Sequence, residues 1–128
     1  MLPHHLCYDA RKTLERENGR PVYELLAPLV RPDGRRLEIG FRSDLASVPQ
    51  SLWWYFPPNG DYDVAAWFHD GALKGVFGEI PRKEADRQFR RDLKEDGIDR
   101  FDRWWLYLGV RIGTLKAFIN QKVTQWLS

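Results

Sequence analysis

The sequence predicts an α+β fold: a small N-terminal antiparallel sheet or hairpin followed by three helices, the last one long. Three observations carry this. The first forty residues contain short apolar stretches broken by a Pro-Gly turn. From residue 63 onward, apolar residues recur at three- and four-residue spacing. Between the two lies a long irregular connection, 43–62, that holds Pro49, Pro57, Pro58 and Gly60.

Strands are expected over about residues 5–42. The stretch from Leu6 to Glu17, ending at Asn18-Gly19, reads as a third strand, although its alternation is weak and helix is an alternative there. Val22 to Val30 is apolar, with Pro28 marking an edge or an end. Arg31-Pro32-Asp33-Gly34 is a turn with a mechanism, since proline presets φ and glycine accepts a positive one. Leu37, Ile39 and Phe41 then alternate with Arg36, Glu38 and Gly40, the pattern of a half-buried strand that returns antiparallel to the preceding one. Ser43 to Tyr62 is long for a connection, which is unusual unless it is functional or wraps something. A short helical turn is expected near Ser51 to Tyr55.

Asp61 or Asp63 can cap a first helix over 63–74, fading across Gly71 to Gly75. Pro81 suits the first turn of a second helix over 81–96, and Gly97 ends it. A third helix spans 100–126, with apolar residues at Phe101, Trp104, Trp105, Leu108, Ile112, Leu115, Ile119 and Trp126. No repeat or low-complexity tract divides the chain, so residues 1–128 read as a single domain.

The 128 residues suffice for a hydrophobic core, and 43% hydrophobic with 30% charged residues is ordinary for a globular chain. Twenty Lys and Arg stand against 18 Asp and Glu. No basic block alternates with stacking aromatics, so nucleic-acid binding is not expected. The one cysteine, Cys7, excludes an internal disulfide. The N-terminus lacks the pattern of a signal peptide, and no uncharged apolar run is long enough to span a bilayer. His4, His5 and Cys7 have the chemistry of metal ligands but sit at a terminus.

On the first helix Ala65, Ala66, His69 and Leu73 share a face, and the small alanines let a neighbour approach. On the second, Ala85, Phe89 and Leu93 form the apolar stripe, and Asp86 borders it. A carboxylate turned inward needs a partner, and His69 is suited to be one. Asp86 accepting from one ring nitrogen would orient His69 and leave the other nitrogen as a general base. Asp70 flanks the same cleft and is a candidate for a hard cation such as calcium, with carbonyls of the 43–60 loop as further ligands. Asp44 and Ser47, just after the strands, are further polar candidates. For each the plain structural alternative is a satisfied core histidine, a buried hydrogen bond, or an aspartate capping a turn.

The third helix is apolar around most of its circumference through Trp104-Trp105-Leu106-Tyr107-Leu108. Such a helix is buried on several sides or docks on a partner. Trp104, Trp105, Tyr107 and Trp126 are the interface candidates, for protein contact, self-association or a membrane surface.

Gly40-Phe41-Arg42-Ser43-Asp44-Leu45-Ala46-Ser47-Val48-Pro49 resembles the GFxTDLASVP motif of a phage and prophage family, domain of unknown function 1353. Pro57-Pro58-Asn59-Gly60-Asp61-Tyr62, then Ala65-Ala66-Trp67-Phe68-His69-Asp70, resemble its PPxGxY and AAxxHDxLY. Arg82 to Phe89 resembles its RxxADxxF. The resemblance covers roughly residues 20 to 115. It implies a phage or prophage protein located in the host cytoplasm or the virion, such as a tail, envelope-contact or assembly component, with phage structural proteins as partners. It implies no activity.

The His-Asp helix is also similar to that of the phospholipase A2 superfamily. That similarity implies a small calcium-dependent hydrolase of phospholipid esters, with His69 as general base, Asp70 on calcium and Asp86 orienting His69. Leu73 stands where both patterns have tyrosine, and no glycine-rich calcium loop accompanies the helix.

Overall fold

The computed structural model describes residues 10–17, 20–44 and 63–127, without the side chains of 17, 20, 113–118 and 121. The order is β1 (Ala10–Glu17), β2 (Arg20–Leu25), β3 (Leu29–Val30), β4 (Arg36–Leu37), β5 (Arg42–Ser43), α1 (Asp63–Leu73), α2 (Arg82–Glu95) and α3 (Arg100–Leu127). The fold is α+β, antiparallel strands followed by three helices, as the patterning predicts. The short helical turn expected near Ser51 to Tyr55 lies outside the described residues.

β1 is a strand, which settles the choice between strand and helix. It pairs antiparallel with β2, from Ala10 opposite Leu25 to Glu17 opposite Arg20, with a register shift between Lys12 and Arg16. That irregularity explains the weak alternation: a bulge breaks the period of two. Thr13 anchors it, donating from Oγ1 to the Val22 carbonyl at 2.9 Å and accepting from the Glu15 amide at 3.2 Å.

The expected pairing of 22–30 with a strand through 37, 39 and 41 holds only in part. β3 and β4 do form an antiparallel pair, Leu29 opposite Leu37, around the Arg31 to Arg35 turn. Arg31 N–H donates to the Arg35 carbonyl and Gly34, at φ 95°, donates to Arg31. The apolar run 22–30, however, is two strands in two sheets. β2 belongs to a three-stranded sheet, order β1-β2-β5, whereas β3 and β4 form their own. The stretch 36–41 breaks too. Gly40 adopts φ 88°, Phe41 N–H turns back onto the Glu38 carbonyl, and Ile39 is left 64% exposed. Only a glycine accepts that φ without strain, and the turn moves the chain from one sheet to the other.

The helices match the expected boundaries to within a residue. Asp99 Oδ1 caps α3 by accepting the Asp102 amide at 2.8 Å. Gly97, at φ 84°, closes α2, with Ile98 N–H reaching back to the Leu93 carbonyl. α1 is buried on nearly every side from Asp63 to His69. It lies at the centre of a core that includes Leu25, Leu29, Leu37, Trp67, Phe68, Phe89, Leu93 and Leu106. Gly71 lets β4 approach this helix, because a Cβ there would sit 2.8 Å from Leu37 Cδ2. Among the described residues no helix is long and apolar enough to cross a membrane.

Candidate functional site

α1 and α2 pack together and bring His69 to Asp86, as their helical spacing predicts. His69 Nε2 lies 2.7 Å from Asp86 Oδ1. The histidine is 6% exposed and Asp86 is fully buried. An acceptor carboxylate requires the proton on Nε2, so the neutral ring has that tautomer and its Nδ1 is the basic nitrogen. The His69 ring also tilts against Phe89, centroid to centroid 5.1 Å, which holds its plane.

The third member of the cluster is Arg111. Its Nη1 donates to Asp86 Oδ2 at 2.9 Å, so both oxygens of the carboxylate are engaged. Arg111 is not among the candidate residues that the sequence singles out. A signal for it exists: α2 and α3 form an antiparallel hairpin about Ile98, with Asp86 twelve residues before that point and Arg111 thirteen after it. Residues equidistant from a tight helix-helix turn face each other. The cluster therefore ties together one side chain from each of the three helices.

Asp70 is on the next flank of α1 and is not part of that cluster. Its carboxylate pairs with Lys74 at 3.0 Å, and the Lys74 ammonium also donates to the Arg42 carbonyl at 2.8 Å. Among the described residues no group of three or more His, Cys, Asp or Glu side chains is arranged to hold a metal. Calcium prefers six to eight oxygen ligands, and the 43–60 loop expected to add carbonyls near Asp70 lies, beyond Asp44, outside the described residues. Asp44 follows β5 and is buried. Ser47, like His4, His5 and Cys7, lies outside the described residues.

The interface candidates differ among themselves. Trp104 and Tyr107 meet edge to face at 5.7 Å, and the Arg90 guanidinium of α2 sits 4.8 Å from both ring centroids. Trp105 meets Phe101 at 6.0 Å. Trp126, near the end of α3, is 82% exposed.

A second buried charged cluster is absent from the sequence reading altogether. Arg31, at the end of β3, has no exposed side-chain surface. It forks onto Asp96 with bonds of 3.1 and 2.8 Å and lies 3.3 Å from Asp92. Arg35 bonds the same Asp92 at 2.5 Å and Asp33 at 2.7 Å. Both guanidinium groups lie over Phe68, which stacks on Phe77. Burial alone would weaken the hold of Arg31 on its proton. The hydrogen bond to Asp96 and the charges of Asp92, Asp96 and Glu95 outweigh that, and its pKa rises. Burial pushes the Asp92 carboxyl above the usual carboxylate range, with Arg35 and Arg31 pulling the other way without cancelling it.

The chain matches a family of proteins of unknown function, DUF1353, over residues 27–110. The chain belongs to that family. The matched span includes the Arg31 turn, the His69-Asp70 helix, Asp86 and all but the last seventeen residues of α3. No curated protein and no solved structure matches the chain. Family membership supports the first of the two resemblances read from the motifs. The similarity to phospholipase A2 finds no such support.

Proposed function

We propose that this chain is a bacteriophage or prophage structural protein, a tail, envelope-contact or assembly component, that docks through α3. The observation that carries the reading is the row of large apolar side chains left in solvent along that helix, among them Phe101, Trp105, Leu108, Ile112, Ile119 and Trp126. Contiguous exposed apolar surface of that length marks an interaction site. The His69–Asp86–Arg111 cluster then acts as a brace. It fixes the helix that presents the surface to the helices beneath it, and the burial of His69 suits that role. The phage assignment rests on the motif resemblance.

The test is composition of particles. Particles from the phage or induced prophage that encodes the chain are expected to contain it, by mass spectrometry of gradient-purified material. Ile112→Asp is expected to remain folded and to be lost from them. A chain absent from both particles and assembly intermediates would sink the reading.

A second reading is favoured by one observation, the 2.7 Å contact that orients His69. In it the cluster is the base of a small hydrolase: Asp86 holds Nε2–H, and Nδ1 takes a proton from water attacking an ester. It expects fatty-acid release from phospholipid vesicles, stimulated by calcium and lost in His69→Ala. Activity that survives this substitution excludes His69 as the base.

A further inference from the structure

The exposed row on α3 has a strict period. Trp105, Ile112, Ile119 and Trp126 are each seven residues apart. Phe101 and Leu108 start a second series of sevens, which continues to Leu115 and Lys122 in the sequence. Interleaved at alternating steps of four and three, the two series form one seam along 26 residues, apolar at every position but Lys122. A straight α-helix drifts by about 20° per seven residues against such a repeat, so a helix lying on a flat surface does not keep it. A sustained seven-residue repeat is the pattern of a helix that winds around another helix.

The rest of the molecule leaves the described side chains of this seam facing outward. Leu106 and Val110, on the opposite side of α3, are buried in the core, while the described apolar side chains of the seam are between 46% and 82% exposed. From Ile119 to Leu127 every residue whose side chain is described is exposed. The last nine positions of a 28-residue helix thus present only exposed side chains wherever these are described, and helices in proteins gain most of their stability from packing an apolar face.

We propose that α3 pairs with α3 of a second copy of this chain, antiparallel and in full-length register. This rests on the reading of α3 as the docking surface and names its partner. Lys122 decides the direction. Parallel pairing would set it against the partner's Lys122 across the seam, two like charges in an apolar layer. Antiparallel pairing sets Lys122 against the partner's Trp105, where an ammonium over an indole face is favourable. The same register opposes Phe101 to the partner's Trp126 and Leu108 to the partner's Ile119. Each pairing occurs twice about a two-fold axis, which makes the interface self-complementary and closed. A seam about 39 Å long on each of two helices buries on the order of 1,200 Å² in total, the lower bound of a standard stable interface. The two bodies then sit at opposite ends, on the outer faces of the pair.

The experiment is sedimentation equilibrium on the full chain in a Cys7→Ser background, with disulfide trapping. A mass twice 15.1 kDa is expected, falling to the monomer in Ile112→Asp and in Ile119→Asp with the circular dichroism of the body retained. Leu108→Cys and Ile119→Cys in one chain are expected to give a covalent dimer on mild oxidation, and neither alone to do so. Cross-linking by Leu108→Cys alone would show a parallel pair and overturn the proposed direction. A monomer at every concentration overturns the pairing, as does a monomer that binds vesicles of anionic phospholipid. If the chain is monomeric but Ile112→Asp is lost from particles, self-pairing fails and docking on another protein stands. If the dimer forms but particles lack the chain, the pairing stands and the virion role fails.

Discussion

Two buried charged clusters brace this molecule, and they are built on different principles. His69, Asp86 and Arg111 project from three packed helices and meet where those helices touch. Arg31, Asp92 and Asp96 join a hairpin turn to the last turn of α2. The first cluster has an outlet to water, because the Arg111 side chain is 33% exposed. The second has none at its centre: Arg31 and Asp96 are both fully buried. Arg31 Nε and Asp92 Oδ2 have no hydrogen-bond partner among the described residues. The helical cluster is fully engaged at its carboxylate, and the hairpin cluster is closed but incompletely satisfied. Charges that cannot reach water depend on each other more, so the second cluster is the more brittle of the two.

Removing a carboxylate separates them most sharply. Asp96→Ala leaves a buried guanidinium with only longer contacts, to Asp92 at 3.3 Å and Glu95 at 3.8 Å, and a loss of about 3–5 kcal/mol is expected in urea unfolding. The double change Arg31→Met with Asp96→Leu is expected to recover most of that, since a well-packed apolar replacement of a buried ion pair is often neutral or better. Equal destabilisation of the single and double variants would show that the two side chains are not coupled. Asp86→Ala is next, at about 2–4 kcal/mol, because His69 loses its acceptor but Arg111 can turn outward. Asp86→Asn should fall between that variant and wild type.

Arg111→Met is expected to change stability by about 1 kcal/mol or less, and the change should shrink with added salt, as for any partly exposed ion pair. A salt-independent loss would place Arg111 inside the brittle class instead. The smallest effect concerns pH. Asp92 has its folded pKa raised by burial, so its favourable contribution is full below the ordinary carboxylate range and is lost as pH rises through the raised value. The stability of wild type relative to Asp92→Asn should therefore fall as pH rises through that window and stay level above it. A difference that grows with pH would reverse the assignment.

The two clusters also differ in how readable they were. His69 and Asp86 sit on helices, where three- and four-residue spacing fixes which face each residue takes. Their meeting follows once α1 and α2 are packed. Arg111 follows from counting outward along the α2–α3 hairpin. Arg31 offers no such handle: it adjoins a turn, where polar residues are expected in solvent, and its acids look like the charged end of an amphipathic helix. Which of them is buried depends on how the small β3–β4 pair lies against α2. The same blindness split the apolar run 22–30 and the alternation 36–41 across two sheets. Local period is blind to a glycine at positive φ that sends the chain elsewhere. Asp70 shows the converse, since its place on α1 was readable but its pairing with Lys74 four residues on, just past the end of that helix, took it out of the cluster.

The fork from Arg31 to Asp96 also has a consequence in time. The two residues are 65 positions apart, and contacts that close long loops form late. The helical hairpin of α2 and α3 closes over a few residues and can form on its own. Arg31 can shed its water only after the carboxylates it needs are already in place. Docking of the β3–β4 turn is thus expected as the final, rate-limiting step of folding, and the chain carrying both Arg31→Met and Asp96→Leu should refold faster than the natural one.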